Sequence, residues 1–292
     1  MNILKFTKIF MILSILTILL GLVVIFTFGF KTSIEYTGGT VIKLNNLENY
    51  ETKLRAISSE NNFEIKELYL KDSLIHLKIA ETQNERVQEI TAKIRGIDSN
   101  LVITDIEVIG SSIGVEFAKN SFLALIIALV GIVLYVAYSF NGISEKISSW
   151  YFGIAAIVAI FHDILVVVSF FSLAGYFYNV EIDALFLTAL LTIAGFSIND
   201  TIVVFDRVRE NLIKYEKSKS ILEIFNLSIF ETLNRSIITS FTVIIIMFSL
   251  FLFGSGSIKY FSLALVIGIA AGTYSSIFIA TPIVLFLKKV RN

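Results

Sequence analysis

The sequence predicts a polytopic α-helical membrane protein with six transmembrane helices, plus a small α+β ferredoxin-like (βαββαβ) extracytoplasmic domain between helices 1 and 2. Three observations predict it. The 292-residue chain is 55% hydrophobic and only 16% charged, with a mean hydropathy of +0.81, whereas an ordinary soluble domain carries roughly 25% charged residues. Six segments hold the run of about 20 apolar residues needed to cross about 30 Å of hydrocarbon. Residues 31–118 break that pattern and alternate between strand-like and helix-like periods.

The first span lies near 9–30. Lys5 and Lys8 precede it, but its apolar core is too long for a signal peptide and no small-x-small cleavage site follows, so it reads as an uncleaved anchor. The other spans lie near 119–140, 150–176, 183–205, 235–254 and 259–287. Orientation follows from Lys and Arg in short connections. Lys5, Lys8, Lys146, Arg207, Arg209, Lys214, Lys217, Lys219, Lys288, Lys289 and Arg291 fall on one side, while the opposite loops near 177–182 and 254–258 carry none. Both termini are therefore expected in the cytoplasm. The organisation is a first transmembrane helix over 1–30, an external domain over 31–118, and a five-helix domain over 119–292 with a cytoplasmic loop at 206–234.

Within the external domain, "IEYTGGTVIKL" alternates like a strand and "ENYETKLRAISSENN" has helical spacing. "FEIKELYLKDSLIHLKIA" reads as two strands around Lys71-Asp72. "TQNERVQEITAKIRGI" is a second helix, with Thr82 and Glu85 at capping-box spacing, and "LVITDIEVIG" closes the βαββαβ order. "TGGT" at 37–40 lacks the Lys and spacing of a phosphate loop, and its glycines suit a turn or bulge.

No catalytic constellation is visible. The chain has no Cys and only His76 and His162, and HExxH, GxSxG and Walker motifs are absent, so neither catalytic residues, a metal set nor a cofactor is expected. Net formal charge is zero, which removes any global basic field for nucleic acid. The partner that composition demands is the lipid bilayer.

Polar residues inside the spans carry the functional signal, because a carboxylate at membrane depth costs several kcal/mol unless paired, protonated or hydrated. Asp200 stands in "GFSINDTIVVFDRVREN" beside Asn199, Ser197 and Gly195, a set that suits a packed polar pocket. The plainer alternative is an interfacial acid paired to Arg207, one heptad along the same helix. His162-Asp163 sits mid-span, either as a polar pair joining two helices or as a proton-handling pair. Arg235 by composition is a positive-inside anchor. In the 206–234 loop, Leu222, Phe225, Leu227 and Phe230 suit a helix lying on the membrane surface. Pro282 reads as a tolerated kink.

With these residues in view, "VEIDALFLTALLTIAGFSINDTIVVFDRVREN" resembles the fourth-span signature of SecF, in the SecD/SecF family of the bacterial Sec translocon, within the resistance-nodulation-division-like superfamily. "TGGT" after the first span, "HDI" in the third and "GTYSSIFIATPIVLF" in the last agree in order. The resemblance implies proton-coupled function at Asp200 and Arg235, with His162 and Asp163 matching the family's His-Asp pair. It implies SecD, the SecYEG translocon and a translocating preprotein as partners, the bacterial inner membrane as location, and protons or sodium ions as the coupling ion. A self-contained exporter of small molecules, built like half of such a pump, is the alternative.

Overall fold

The computed structural model describes residues 7–45, 50–71, 73–97, 101–139, 149–215, 217–254 and 256–291. Lys5, Asp72 and Lys146 lie outside the described residues. The chain divides into two compact units, one of Lys31–Leu123 with Phe177–Asp183, the other of Met1–Phe30, Ala124–Tyr176 and Ala184–Asn292.

The first unit holds a four-stranded antiparallel sheet. Its elements are α2 (Ile34–Thr37), β1 (Gly39–Leu44), α3 (Tyr50–Glu60), β2 (Ile65–Lys71), β3 (Leu74–Ile79), α4 (Asn84–Arg95) and β4 (Ile103–Ile109). Strand order is β2-β3-β1-β4, the split βαβ arrangement. Alternation decides which face is buried: Ile42, Leu44, Ile75, Leu77 and Ile79 share one side and pack on Leu54 of α3 and on Ile90 and Ile94 of α4.

Two local expectations fail here. "IEYT" is a helical turn rather than strand, capped by the Ser33 hydroxyl, which accepts from the Glu35 amide. The strand starts only at Gly39, because Gly38 (φ +68°) and Gly39 (φ +128°) take conformations closed to most side chains. A Cβ on Gly38 would also lie 2.4 Å from the Ser111 Cα. The capping box at Thr82 does not form: α4 begins at Asn84 after Gln83, which makes no side-chain cap. Glu85 instead lies in the first turn, where its charge complements the helix dipole.

The other sheet face is polar, and the segment 177–183 seats on it. Lys78, only 5% exposed, reaches Glu181 at 2.8 Å and Glu67 at 3.5 Å and donates to the Thr32 carbonyl. The Tyr69 hydroxyl donates to Glu181, and the Ile182 backbone exchanges hydrogen bonds with Lys31 and Ser33. Burial, then the negative charge of Glu181, push the Tyr69 phenol above its ordinary range. Tyr36, which donates to the Asp183 carbonyl, is pushed up to about 12 by burial, then by Glu35 and Asp183.

The long helices are α1 (Thr7–Phe28), α5 (Ser111–Ser139), α6 (Ser149–Tyr178), α7 (Ala184–Tyr215), α8 (Ile221–Phe253) and α9 (Gly256–Ser275). A π turn (Ser276–Ala280) and α10 (Thr281–Arg291) follow. Among the described residues, six stretches are long and apolar enough to cross a membrane: Ile9–Phe28, Ser111–Val136, Trp150–Tyr178, Ala184–Tyr215, Ile221–Phe253 and Gly256–Lys288.

Three of these outrun the expected spans. The helix of the second begins at Ser111, eight residues before the expected span, with only Gly110 between it and the end of β4. The fourth and fifth run through the 206–234 region as a helical hairpin instead of a surface helix. At about 1.5 Å per residue, the 32 residues of α7 reach about 48 Å, more than hydrocarbon requires. The hairpin shares the core of the bundle: Ile224, Phe225 and Ile229 of α8 are buried in one cluster with Val204, Val208 and Leu212 of α7 and with Phe152 of α6 and Ile277 of the π turn. Leu222 remains exposed and Leu227 and Phe230 are half-buried. A full capping box, Ser220 with Glu223, restarts the helix after the turn.

Helices α7 and α9 meet through small residues. A Cβ on Gly268 would lie 2.3 Å from the Ile193 side chain, and one on Gly272 would lie 3.1 Å from the Ser197 Cβ. This Gly-x-x-x-Gly spacing lets two backbones approach closely. The last span is not one regular helix. Proline clashes with the carbonyl four residues back and offers no amide, and the π turn ends two residues before Pro282. The Thr281 hydroxyl donates to the Ser276 carbonyl at 3.0 Å.

Candidate functional site

The site is built where α6, α7, α8 and the α9–π junction converge. Asp163 on α6 and Asp200 on α7 are both buried, at 0% and 7% exposure. Such carboxylates must be satisfied locally, and each is held by hydroxyls. Asp163 Oδ2 accepts from Ser197 of α7 at 2.6 Å and from Ser275 of α9 at 2.7 Å. Its Oδ1 lies 3.0 Å from the Nδ1 of the neighbouring His162. Asp200 Oδ1 accepts from Ser236 of α8 and Oδ2 from Ser276 of the π turn, both at 2.5 Å.

His162, 3% exposed, turns its ring toward Tyr274, with centroids 6.0 Å apart. The Tyr274 hydroxyl in turn lies 3.0 Å from that of Ser14 on α1. The first span is thereby joined to the polar centre.

The sequence-derived pocket is partly corrected. Ser197 belongs to the buried centre but serves Asp163, not Asp200. Asn199 and Gly195 are exposed, and a Cβ on Gly195 would meet nothing within 4 Å. At 100° per residue, positions 195 and 199 share a face that 197 and 200 do not. Nor does Asp200 pair with Arg207, which is engaged by Glu210 and Glu231. Arg235 is exposed, and among the described residues no ion pair joins it to Asp200. It lines a cavity of about 290 Å³ with Val203, Asp206, Arg207, Glu210, Glu231 and Thr232. Its lining residues on α7 lie three to ten positions beyond Asp200, toward the hairpin end.

The residues missed from sequence are the donors. Ser236, Ser275 and Ser276 are individually ordinary in apolar helices; for Ser275 and Ser276 the usable signal was their place in "GTYSS", whose Gly272 also ends a Gly-x-x-x-Gly run, and for Ser236 there was none. Among the described residues no group of three His, Cys, Asp or Glu could hold a metal.

A bundle of membrane-crossing helices closed round two hydroxyl-held carboxylates defines a multi-pass membrane protein of the transport class. Residues 89–290 match the family described as protein export membrane protein SecD/SecF, C-terminal. The chain is 37% identical to protein translocase subunit SecF of Thermobaculum terrenum, over 96% of this chain and 92% of that one. It is 35% identical to the SecF of Haemophilus influenzae, over 96% and 83%. The crystal structure of SecDF from Thermus thermophilus, a translocon-associated membrane protein, superposes with a TM-score of 0.85 at 34% identity. A second SecDF structure, in a super-membrane-facing form, gives 0.71 at 32%. This chain spans 39% of the length of each SecDF chain while being covered over 99% and 100% of its own. The protein belongs to the SecD/SecF family, among its SecF members.

Proposed function

We propose that this chain is the SecF subunit of a SecD–SecF complex that uses an ion gradient, protons in the first instance, to assist preproteins through the SecYEG translocon. The observation that carries this is the pair of buried carboxylates held by hydroxyls rather than by fixed cations. Such groups can exchange a proton without leaving a permanent ion pair behind. Each proton crossing the bilayer releases about 2.3 kcal/mol per 100 mV, enough to bias a helix packing change. Arg235, next in sequence to the Ser236 that donates to Asp200, is the charge that reports or relays the acid's state.

The setting is the bacterial cytoplasmic membrane, with both termini and the α7–α8 hairpin in the cytoplasm and residues 31–118 outside. The Lys and Arg of the hairpin favour that orientation. SecD as partner is supported by the matched SecDF chains, of which this one covers a part, and by an exposed face of α7 that ends in Asn199. Thr188, Thr192, Gly195 and Asn199 recur at helical spacing on that face, and a carboxamide turned to bare lipid is disfavoured.

The test is the export rate of a labelled secretory protein from vesicles containing Asp200→Asn, with and without a protonophore. A slow variant that the protonophore slows no further, beside a wild type it slows to the same level, supports the reading; normal export by the variant sinks it. A sodium ionophore in place of the protonophore distinguishes the coupling ion.

A further inference from the structure

Two adjacent residues serve two different acids. Ser275 donates to Asp163 and Ser276 to Asp200. On α7, Ser197, which also donates to Asp163, stands three residues before Asp200. The contacts close a ring: Asp163 to Ser197, along one turn of α7 to Asp200, across to Ser276, and through one peptide bond to Ser275 and Asp163 again. Each serine also has a second acceptor within reach. The Gly272 carbonyl lies 3.1 Å from the Ser275 hydroxyl, and the Thr273 carbonyl 3.1 Å from that of Ser276.

We infer that Ser275 and Ser276 are positioning residues that couple the two carboxylates, so that a change at one acid alters how the other is held. When Asp200 takes up a proton it gains an O–H donor of its own. That O–H needs an acceptor, and the Ser276 oxygen can accept it by turning its own proton to the Thr273 carbonyl. Ser276 opens the π turn, a widened helical turn of the kind often found at functional sites. A one-residue shift toward α register would rotate the segment by about 100°. Because the serines are consecutive, that rotation cannot release Asp200 without moving the donor to Asp163. Gly272 keeps the exchange tight, since a Cβ there would sit 3.5 Å from Asp163 Oδ2 and only 3.1 Å from the Ser197 Cβ, closer than side chains ordinarily pack.

Other titratable groups flank the pair on the elements packed around it. They are His162 on α6, Asp206, Arg207 and Glu210 on α7, Glu231 and Arg235 on α8, and Tyr274 on α9. None of them bridges the two acids.

The inference rests on the ion-coupled reading, yet the two can fail separately. The experiment follows the carboxyl stretch of Asp200, assigned with Asp200→Asn, during infrared pH titration of the full-length chain in lipid nanodiscs. Asp163→Asn is expected to move the Asp200 midpoint by about one pH unit or more, the mark of interacting sites. In a Ser275→Ala/Ser276→Ala background that movement is expected to vanish, and Ser276→Thr, which keeps the hydroxyl, is expected to retain it. If the double variant proves too unstable to titrate, Ser276→Ala alone breaks the same ring. A midpoint indifferent to Asp163→Asn overturns the inference, as does a shift that survives loss of the serine hydroxyls, which would mean coupling through space. Export by Asp200→Asn bears on the proposed function and leaves this titration result standing.

Discussion

Burial sets the weight of each charge in the external domain. Lys43 bridges Asp105 and Glu107 on a solvated face. The Lys43 hydrogen bond holds Asp105 below the usual carboxylate range, so the pair's contribution is present above that range and lost as pH falls through it. Being exposed, it is worth under about 1 kcal/mol, and Lys43→Ala should barely move the melting temperature. Lys78 is the opposite case. Glu181→Ala would leave its ammonium buried with a weaker partner, at a cost of about 3 kcal/mol. Faster hydrogen exchange along β3 in the full chain would register this, and an unchanged rate would show that Glu67 alone suffices. Tyr69 supplies the alkaline limit. Its raised phenol means the folded state holds that proton more tightly than the unfolded chain, so stability is complete below about pH 10 and declines above it. Tyr69→Phe should flatten that decline in a pH series of thermal melts.

Two devices act at the level of helices, and one of them positions the carboxylates. The Gly268–Gly272 face lets α9 lie close enough to α7 for Ser275 and Ser276 to reach their acids. Gly268→Leu would drive a side chain into Ile193, and overpacking of this kind costs about 1–3 kcal/mol. Its melting temperature should fall, and export should fall with it even though no polar group has changed. Loss of stability with full export would separate the packing from the chemistry. The Ser220 capping box is a milder device. Ser220→Ala should cost about 1 kcal/mol of hairpin stability, visible as faster amide exchange in the first turn of α8, and should leave the carboxylate site intact.

For the molecule as a whole, the site draws donors from α7, α8, α9 and the π turn, so every late span helps to hold one of two acids. On α7 the Thr188 and Thr192 hydroxyls donate to carbonyls of their own helix, but the exposed carboxamide of Asn199 is not suited to a helix that faces only lipid. Replacing Asn199 by Leu should weaken copurification with SecD while sparing the fold, because it removes a group that lipid does not satisfy. Recovery of the wild-type chain as its own homo-oligomer, without SecD, would instead favour the self-contained exporter.

While Arg235 rose above a positive-inside anchor only through the family resemblance, composition and periodicity by themselves determined the membrane class, six spans, the βαββαβ order and the candidate acids Asp200 and Asp163 with its neighbour His162. These are consequences of local arithmetic: length against bilayer thickness, period against element type, and the cost of burying charge. Tertiary structure alone decided which polar residues meet. Asn199 and Ser197 are two apart in sequence, but 200° of helical rotation sends one outward and the other to Asp163. Ser236 and Ser276, 36 and 76 positions beyond Asp200, become its donors only because small residues let α7, α8 and α9 close together. No local pattern encodes that, since a hydroxyl's partner depends on which helix face is packed and how closely.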